Sequence, residues 1–579
     1  MIGIIYIKEQ QIYMKISSSK QIIQTLLLCL SLAFFGVFYW ETIMSLPLFG
    51  DATIHGANAL DVLNGGWSVL SSDYPSFYSY LMAILYSVIN EKGFNLVPYL
   101  GFLFLLLSSF LLIRQMTKNY YLGLLAIILV GASPKIIYYS ARMYQEILLS
   151  GLIIFCIYLF FKYLENKGRN TLFLLSLFVG VTLSTKQQGL FILYPSIVLF
   201  FIFIFLRKRI SIIDLSMIIA IPFLIGITFY GVLFHTIGII TPGSGEFGVV
   251  NLVNTVGQKI FFYNEKHNTS LYGMNLNNHD LASTANSSDP LEIKLQQIED
   301  KYNKVAFTRG ESRHIWPTDV FTNFDKFNQA NSLYVDVQGI KLENPYLLYL
   351  SFFSIIAGFI YCIYKYKRYC DLLLFTIIFL PINYILFIRN SDQQRYQLFI
   401  PIFVLIYICI FFKFLWKRIY INRYLNILSI ILAIILLFIP LLSYRILANT
   451  RWGGSQMYSP SVGGITSVRE VGNWFKDNTS QNILIGQECG NELHYYSQRN
   501  VSGDWRIYFL NSNDLRTYLT RTNISYYVIY VSQLTDDNDW KATCWVPKSF
   551  YKRMDSNFSK AYITKDKDII IYKIQQTTI

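Results

Sequence analysis

The chain has 579 residues, 53% of them hydrophobic and only 15% charged, whereas soluble domains carry about 25% charged residues. Much of it is therefore built to avoid water, which excludes an ordinary soluble enzyme. A formal charge of +14 would suggest nucleic acid in a soluble protein. Here the Lys and Arg residues sit in short segments between apolar runs, as the positive-inside rule expects of a membrane protein, and no nucleic-acid partner is expected.

Apolar stretches of spanning length recur between residues 22 and 446, and about 20 residues cross a bilayer as a helix. The runs are long and do not alternate, so they read as helices, which satisfy their own backbone in lipid. The first run ends in FYWETIMSLPLFGDA, without a small-x-small cleavage site, and reads as an uncleaved anchor.

Six segments are basic: the N-terminus up to residue 21 (Lys8, Lys15, Lys20), RQMTK, KYLENKGR, RKR, KYKR and KFLWKRIYINR. Placing all of them in the cytoplasm gives spans near 22–41, 97–113, 121–136, 146–162, 171–184, 190–206, 213–234, 345–364, 371–388, 396–412 and 424–446, about eleven in all. Residues 76–90 (SFYSYLMAILYSVIN) would break the alternation and are expected to form an external re-entrant or interfacial helix. The outside then receives loop 42–96, short turns near 137–145, 185–189 and 389–395, the long loop 235–344, and everything after residue 447. Loop 235–344 is polar, Asn-rich and weakly periodic, and loops this long are usually functional or disordered.

The composition changes near residue 450. A Gly/Ser linker, 447–464, leads into an expected α/β domain at 465–579. Ile465, Val468, Val471 and Phe475 share one helical face, NELHYYSQR reads as a short helix, and NILIG, ISYYVIYVS and DIIIYKI read as strands. The expected class is thus a polytopic α-helical membrane protein with a C-terminal extracytoplasmic α/β domain.

All six histidines (His55, His235, His267, His279, His314, His494) fall outside or at the outer edge, and their spacing matches no metal signature. Five of the seven cysteines lie in predicted spans, while Cys489 and Cys544 share the tail, where an oxidising face would permit a disulfide.

Ionisable residues near hydrocarbon call for a functional reason, and several gather at the outer ends of spans. Asp51 stands about ten residues beyond the first span, in LPLFGDATIHGANAL. Arg142 and Glu146 lie in SPKIIYYSARMYQE, Lys186 in STKQQG, and Arg389, Asp392 and Arg395 in IRNSDQQRYQLFIP. As loop charges they would merely meet water and headgroups. As a set they place carboxylates and cations on one face of the membrane.

The order of these motifs resembles the membrane glycosyltransferases of the GT-C fold, and most closely the protein O-mannosyltransferase branch, which includes the lipid A aminoarabinose transferases. That branch has an acidic residue after the first span (GDATIHGANAL), a Pro-aromatic stretch (DYPSFYSYLMAIL), SP…YSAR…E at the third-to-fourth span turn, a TK..G turn, and RY…P opening a later span (RYQLFIP). The resemblance covers most of residues 25–445, and no WWDYG-like segment of the oligosaccharyltransferase branch occurs. It implies a polyprenyl-phosphate-linked sugar donor held at a membrane lipid groove, and a protein, lipid or glycan acceptor on the outer face of a bacterial or archaeal plasma membrane. In the roles it implies, Asp51 is the catalytic carboxylate and Arg142, Lys186 and Arg395 meet the donor phosphate. His55 and Tyr396 support them, and Glu146 orients Arg142 four residues away or meets a sugar hydroxyl. No cofactor is implied. A divalent metal stays open, because Asp51 is followed by Ala52 where many relatives have an acidic pair. A lipid-linked-sugar flippase and a non-catalytic envelope scaffold are the alternatives. The flippase would also need cations near a lipid phosphate, but neither alternative needs the first-loop carboxylate.

Overall fold

A computed structural model describes residues 2–44, 51–65, 77–141, 144–186, 189–237, 289–298, 345–387, 398–419, 465–487, 491–531, 534–536 and 546–574. The predicted span 424–446, the linker 447–464, most of loop 235–344, and Arg142, Arg389, Asp392, Arg395, Tyr396, Cys489 and Cys544 lie outside the described residues.

In chain order the helices are α1 (Ile2–Met44), α2 (Asp51–Gly65), α3 (Phe77–Ile89), α4 (Lys92–Thr117), α5 (Tyr120–Gly131), α6 (Pro134–Ala141), α7 (Gln145–Asn166), α8 (Arg169–Thr185), α9 (Tyr194–Leu206), α10 (Ile212–Ile237), α11 (290–298), α12 (Pro345–Tyr364), α13 (Tyr366–Phe387) and α14 (Phe399–Ile419). In the C-terminal region follow α15 (Ile465–Asn478), α16 (Asn491–Ser497), α17 (Ser512–Arg521) and α18 (Lys548–Asn557). Six helical segments among the described residues are long and apolar enough to cross a membrane: Gln21–Trp40, Lys92–Thr117, Gln145–Asn166, Gly189–Leu206, Ile212–Phe229 and Phe399–Trp416. Shorter apolar helices accompany them at Tyr120–Gly131, Arg169–Thr185 and Phe353–Tyr364. The chain is a multi-pass helical membrane protein. Within residues 76–90, left over from the charge alternation, Phe77–Ile89 form the 13-residue α3, shorter than a bilayer span.

Two boundaries differ from expectation. The span expected at 121–136 ends at Gly131, and the expected turn 137–145 contains α6. The cause is local: Ser133 accepts from the Ile136 and Ile137 N–H groups through its hydroxyl and carbonyl, and Pro134 occupies the first helical turn, so SP starts a new helix. The segment before residue 22 is helical and continuous with the first span.

The chain divides into two compact units, one of Met1–Leu46, Ile89–Thr228 and Trp316–Ile446, the other of Pro47–Val88, Phe229–Ile315 and Leu447–Ile579. In the first, α4 packs along α7, α7 along α8, and α12 along α14. Phe160, Phe200, Phe375, Phe379 and Phe403, all buried, join α7, α9, α13 and α14 through edge-on, tilted and stacked ring contacts such as Phe160–Phe200 (4.8 Å) and Phe379–Phe403 (5.2 Å). Gly358 lies so near the Tyr407 carbonyl that a Cβ there would meet its oxygen at 2.1 Å, so glycine sets the α12–α14 distance. Large apolar side chains such as Ile23, Leu30, Val37, Leu206 and Leu224 remain exposed, as hydrocarbon-facing surfaces do.

The polar helix ends converge. Lys118 pairs with Glu165 in the last turn of α7 at 2.5 Å, Arg209 grips Asp371 through two bonds of 2.8 and 3.1 Å, and Lys413 donates to the Thr117 carbonyl. Gln115, Lys118, Glu165, Arg368 and Asp371 line one cavity, so the α4–α5, α7–α8, α9–α10 and α12–α13 connections share one end with the C-terminal half of α14. Glu146, in the first turn of α7, marks the other end, because α7 has 22 residues and spans about 33 Å.

The second unit holds a five-stranded sheet of order β2-β1-β3-β7-β6, built from β1 (Leu484–Gly486), β2 (Asn500–Ser502), β3 (Ile524–Tyr530), β6 (Ser559–Ile563) and β7 (Ile569–Lys573). β4 (Leu534–Thr535) and β5 (Val546–Pro547) form a separate parallel pair. β2, β1 and β3 are parallel, β7 and β6 antiparallel. Both faces are covered. Val528, Tyr530, Ile569 and Ile571 pack with Val468, Val471 and Phe475 of α15, while Tyr527, Ile529, Ile570 and Tyr572 pack with α17 and α18. Alternation of period two explains why this strand reads as an unbroken apolar run, DIIIYKI.

The second face also takes in α11, from the middle of the long loop. Asp289 caps it, accepting from the Leu291 N–H at 3.0 Å, and Pro290 fits its first turn. Leu291, Leu295 and Ile298, spaced i, i+4, i+7, join the core. Lys294–Asp514 and Arg521–Asp289 ion pairs fasten it to α17.

Candidate functional site

Two groups of the expected site residues are described, one in each unit. In the first, the SPKIIYYSARMYQE segment forms α6, a two-residue gap in the described chain, and the start of α7. Tyr144 precedes α7 in an extended conformation and stands 5.9 Å, ring to ring, from Tyr139. This turns Gln145 and Glu146 inward, both about 1% exposed. On the other side α8 ends at Thr185, and Lys186 follows in extended backbone.

Here the structure joins residues that the sequence left separate. Lys186 Nζ donates to Glu146 Oε1 at 2.6 Å, with the two side chains 8% and 2% exposed. The Gln145 carboxamide completes the cradle in the orientation that satisfies both its ends: its oxygen accepts from Lys186 Nζ at 3.2 Å, and its nitrogen donates to the Thr185 carbonyl at 3.1 Å. The start of α7 favours the Glu146 anion, because the helix N-terminus carries partial positive charge. Glu146 is thus engaged by a cation 40 residues away, while Arg142, its expected neighbour four residues back, lies outside the described residues. Gln145 was not foreseen, and in sequence it is one polar residue beside a better one.

Gly189 explains the end of the TK..G motif. Its N–H donates to the Lys186 carbonyl at 2.9 Å, and a Cβ on it would meet the Thr182 carbonyl oxygen at 2.3 Å. Only glycine lets the chain turn back this tightly against α8, and it does so through a π-helical turn, Gly189–Leu193, that leads into α9.

In the second unit, Asp51 is the first residue of α2. His55 and Asn58 follow at i+4 and i+7 on the same face, with Asp61 beside them. Thr53, His55, Asn58 and Asp61 are all buried, an uncommon density of polar groups for a helix of 15 residues. The His55 ring packs edge-on against Tyr78 of α3, with centroids 5.0 Å apart. α2 also packs on α16 of the sheet domain. Asn58 and Asp61 were missed by the sequence reading, although the helical spacing from Asp51 was visible.

Among the described residues no group of three or more His, Cys, Asp or Glu side chains is arranged to hold a metal ion. His494 is structural, its Nδ1 lying 2.6 Å from the Arg499 carbonyl. Cys29, Cys156, Cys362, Cys370 and Cys409 are free thiols.

No protein-family model matches the chain, and no curated protein matches it. Among solved structures, the Archaeoglobus fulgidus oligosaccharyltransferase in its apo form aligns with a TM-score of 0.52 at 13% identity, over 95% of this chain and 75% of that one. ArnT from Cupriavidus metallidurans aligns at 11% identity over 96% of this chain and 98% of its own when bound to undecaprenyl phosphate, and at 12% over 97% and 99% in the apo state. Their TM-scores, 0.42 and 0.41, are too low to add to the comparison. At such identities the alignment speaks for architecture, not for branch or substrate. The protein is a multi-pass membrane protein with the fold of the GT-C glycosyltransferases.

Proposed function

We propose that the protein is a glycosyltransferase that moves a sugar from a polyprenyl-phosphate-linked donor to an acceptor on the outer face of a bacterial or archaeal plasma membrane. The C-terminal domain then lies on that outer face. The observation that carries this reading is the buried Lys186–Glu146 pair, held within a GT-C fold at the end of α7 opposite the basic loops. A buried ion pair costs several kcal/mol of desolvation for each ion, and in a membrane protein such residues mark the place where function needs charge.

In the proposed reaction an acceptor hydroxyl attacks the anomeric carbon. The bond from that carbon to the phosphate oxygen breaks, and its electron pair leaves with polyprenyl phosphate. Asp51 takes the hydroxyl proton. Lys186, with Arg142 and Arg395, meets the charge that gathers on the departing phosphate, with the arginines suited to two-pronged contact. Glu146 and Gln145 hold the Lys186 ammonium in place, while His55 supports α2 and Tyr396 supports Arg395. Single displacement inverts the anomeric centre. No cofactor enters this scheme.

The test is release of polyprenyl phosphate from a polyprenyl-phosphate sugar by the purified protein, followed by mass spectrometry. Asp51→Asn should cut turnover by about 10²–10⁴-fold, the usual worth of a general base, while donor binding persists. Lys186→Ala should weaken donor binding and turnover together. Full turnover in Asp51→Asn would remove Asp51 from catalysis. A flippase would reverse the ordering, and a wild-type protein that consumes no such donor would overturn the enzyme reading.

A further inference from the structure

At the end of α7 away from Glu146, a cavity of about 730 Å³ opens between α1, α4, α5 and α7. Its lining includes Arg114, Lys118, Gln24, Gln115 and Asn119, with Tyr121 at its edge, and contains no carboxylate. Lys118 is shared with Glu165, but Arg114 makes no carboxylate ion pair among the described residues. Its guanidinium lies instead over the rings of Phe110 and Tyr120, 5.9 and 5.7 Å from their centroids. Ring faces hold a cation in position without neutralising it. Asn119 caps α5, its side chain accepting from the Tyr121 and Leu122 N–H groups, so the positive end of that helix faces the same space.

The cavity also borders lipid. Gln24 lies on α1 beside Ile23 and Leu27, both exposed and apolar, and Tyr121 is two-thirds exposed at the helix end, where interfacial aromatics belong. A ligand seated here keeps an anionic group on Arg114 while its tails stay in hydrocarbon. We propose that this cavity binds the phosphate headgroup of an anionic membrane lipid, with Arg114 as its principal contact. Basic pockets between spans on the cytoplasmic side suit such headgroups. The site is independent of the proposed transfer reaction and stands at the opposite end of the same helix from Glu146.

The experiment is native mass spectrometry of the full-length protein titrated separately with phosphatidylglycerol, phosphatidylcholine and inorganic phosphate. Phosphatidylglycerol should be retained where phosphatidylcholine is lost. Arg114→Ala should weaken phosphatidylglycerol binding about five- to tenfold, and Arg114→Lys should recover part of it, keeping charge but not the fork. Arg207→Ala is the control: it removes a cation from the same end that lies over Phe203 and outside the cavity, and should leave binding unchanged. Equal retention of the two lipids, unchanged binding in Arg114→Ala, or an equal loss in Arg207→Ala would overturn the site. Displacement of the lipid by millimolar inorganic phosphate would make it a free-phosphate site and overturn the lipid assignment.

Discussion

Replacing Glu146 with Gln keeps the shape of the side chain and removes its charge, leaving the Lys186 ammonium buried at 8% exposure. At 2.6 Å the two charges attract by about 6 kcal/mol for an effective dielectric of about 20, and desolvation of both ions offsets most of this. The pair therefore adds little net stability, while loss of one partner removes a counter-charge from the other in a buried site. Such a loss costs about 3–5 kcal/mol, whereas replacing both partners with groups of similar volume is close to neutral. Glu146→Gln and Lys186→Met should each destabilise by about 3–5 kcal/mol, and the double variant, being close to neutral, should recover most of their summed loss of about 6–10 kcal/mol. Reversible denaturation in mixed micelles, with all four proteins in one lipid composition, measures the cycle. Independent sites add to within about 0.5 kcal/mol, so single-variant losses that simply sum would refute a direct pair.

Three further outcomes concern the sheet domain. Leu295→Ala should destabilise it by about 2–5 kcal/mol, since Leu295 is fully buried in its core; residues 465–579 expressed alone should melt below the same domain carrying residues 289–298 on a flexible linker, and equal midpoints would exclude α11 from the core. Arg499→Ala should cost about 2–3 kcal/mol, because the buried guanidinium donates to the Phe475, Lys476 and Thr479 carbonyls at the end of α15 and to those of Ser497 and Gln498; unchanged hydrogen exchange at the end of α15 would contradict this. Burial alone would raise the Asp566 pKa, but hydrogen bonds from the Ser467 and Thr564 hydroxyls and the Asp568 N–H hold it below the ordinary range. A depressed carboxyl stabilises fully above its unfolded value of about 3.9 and loses that contribution as pH falls through the folded value. Asp566→Asn should therefore lower the melting temperature at pH 7 and converge with wild type in acid, and a constant gap across pH would refute the assignment.

The sequence by itself determined the features that depend on neighbours along the chain. Hydrophobic runs of spanning length marked the helices, and the charged connections between them meet in the pairs Lys118–Glu165, Arg209–Asp371 and Lys413–Thr117. Helix α15 was read with the bounds it has, because Val468, Val471 and Phe475 carry the helical period on one face. The order of motifs, from GDATIHGANAL to RYQLFIP, was enough to indicate the GT-C fold.

Tertiary structure decided what depends on partners distant in sequence. Nothing in local spacing brings Lys186 to Glu146: the packing of α7 against α8 delivers it across 40 residues. In α11, DP marks a helix start and Leu291, Leu295 and Ile298 mark a face, yet nine residues give too few turns for the period to stand out in a polar loop. That helix gains its stability from the sheet it covers, because a short helix is marginal alone and persists only when its apolar face finds a core.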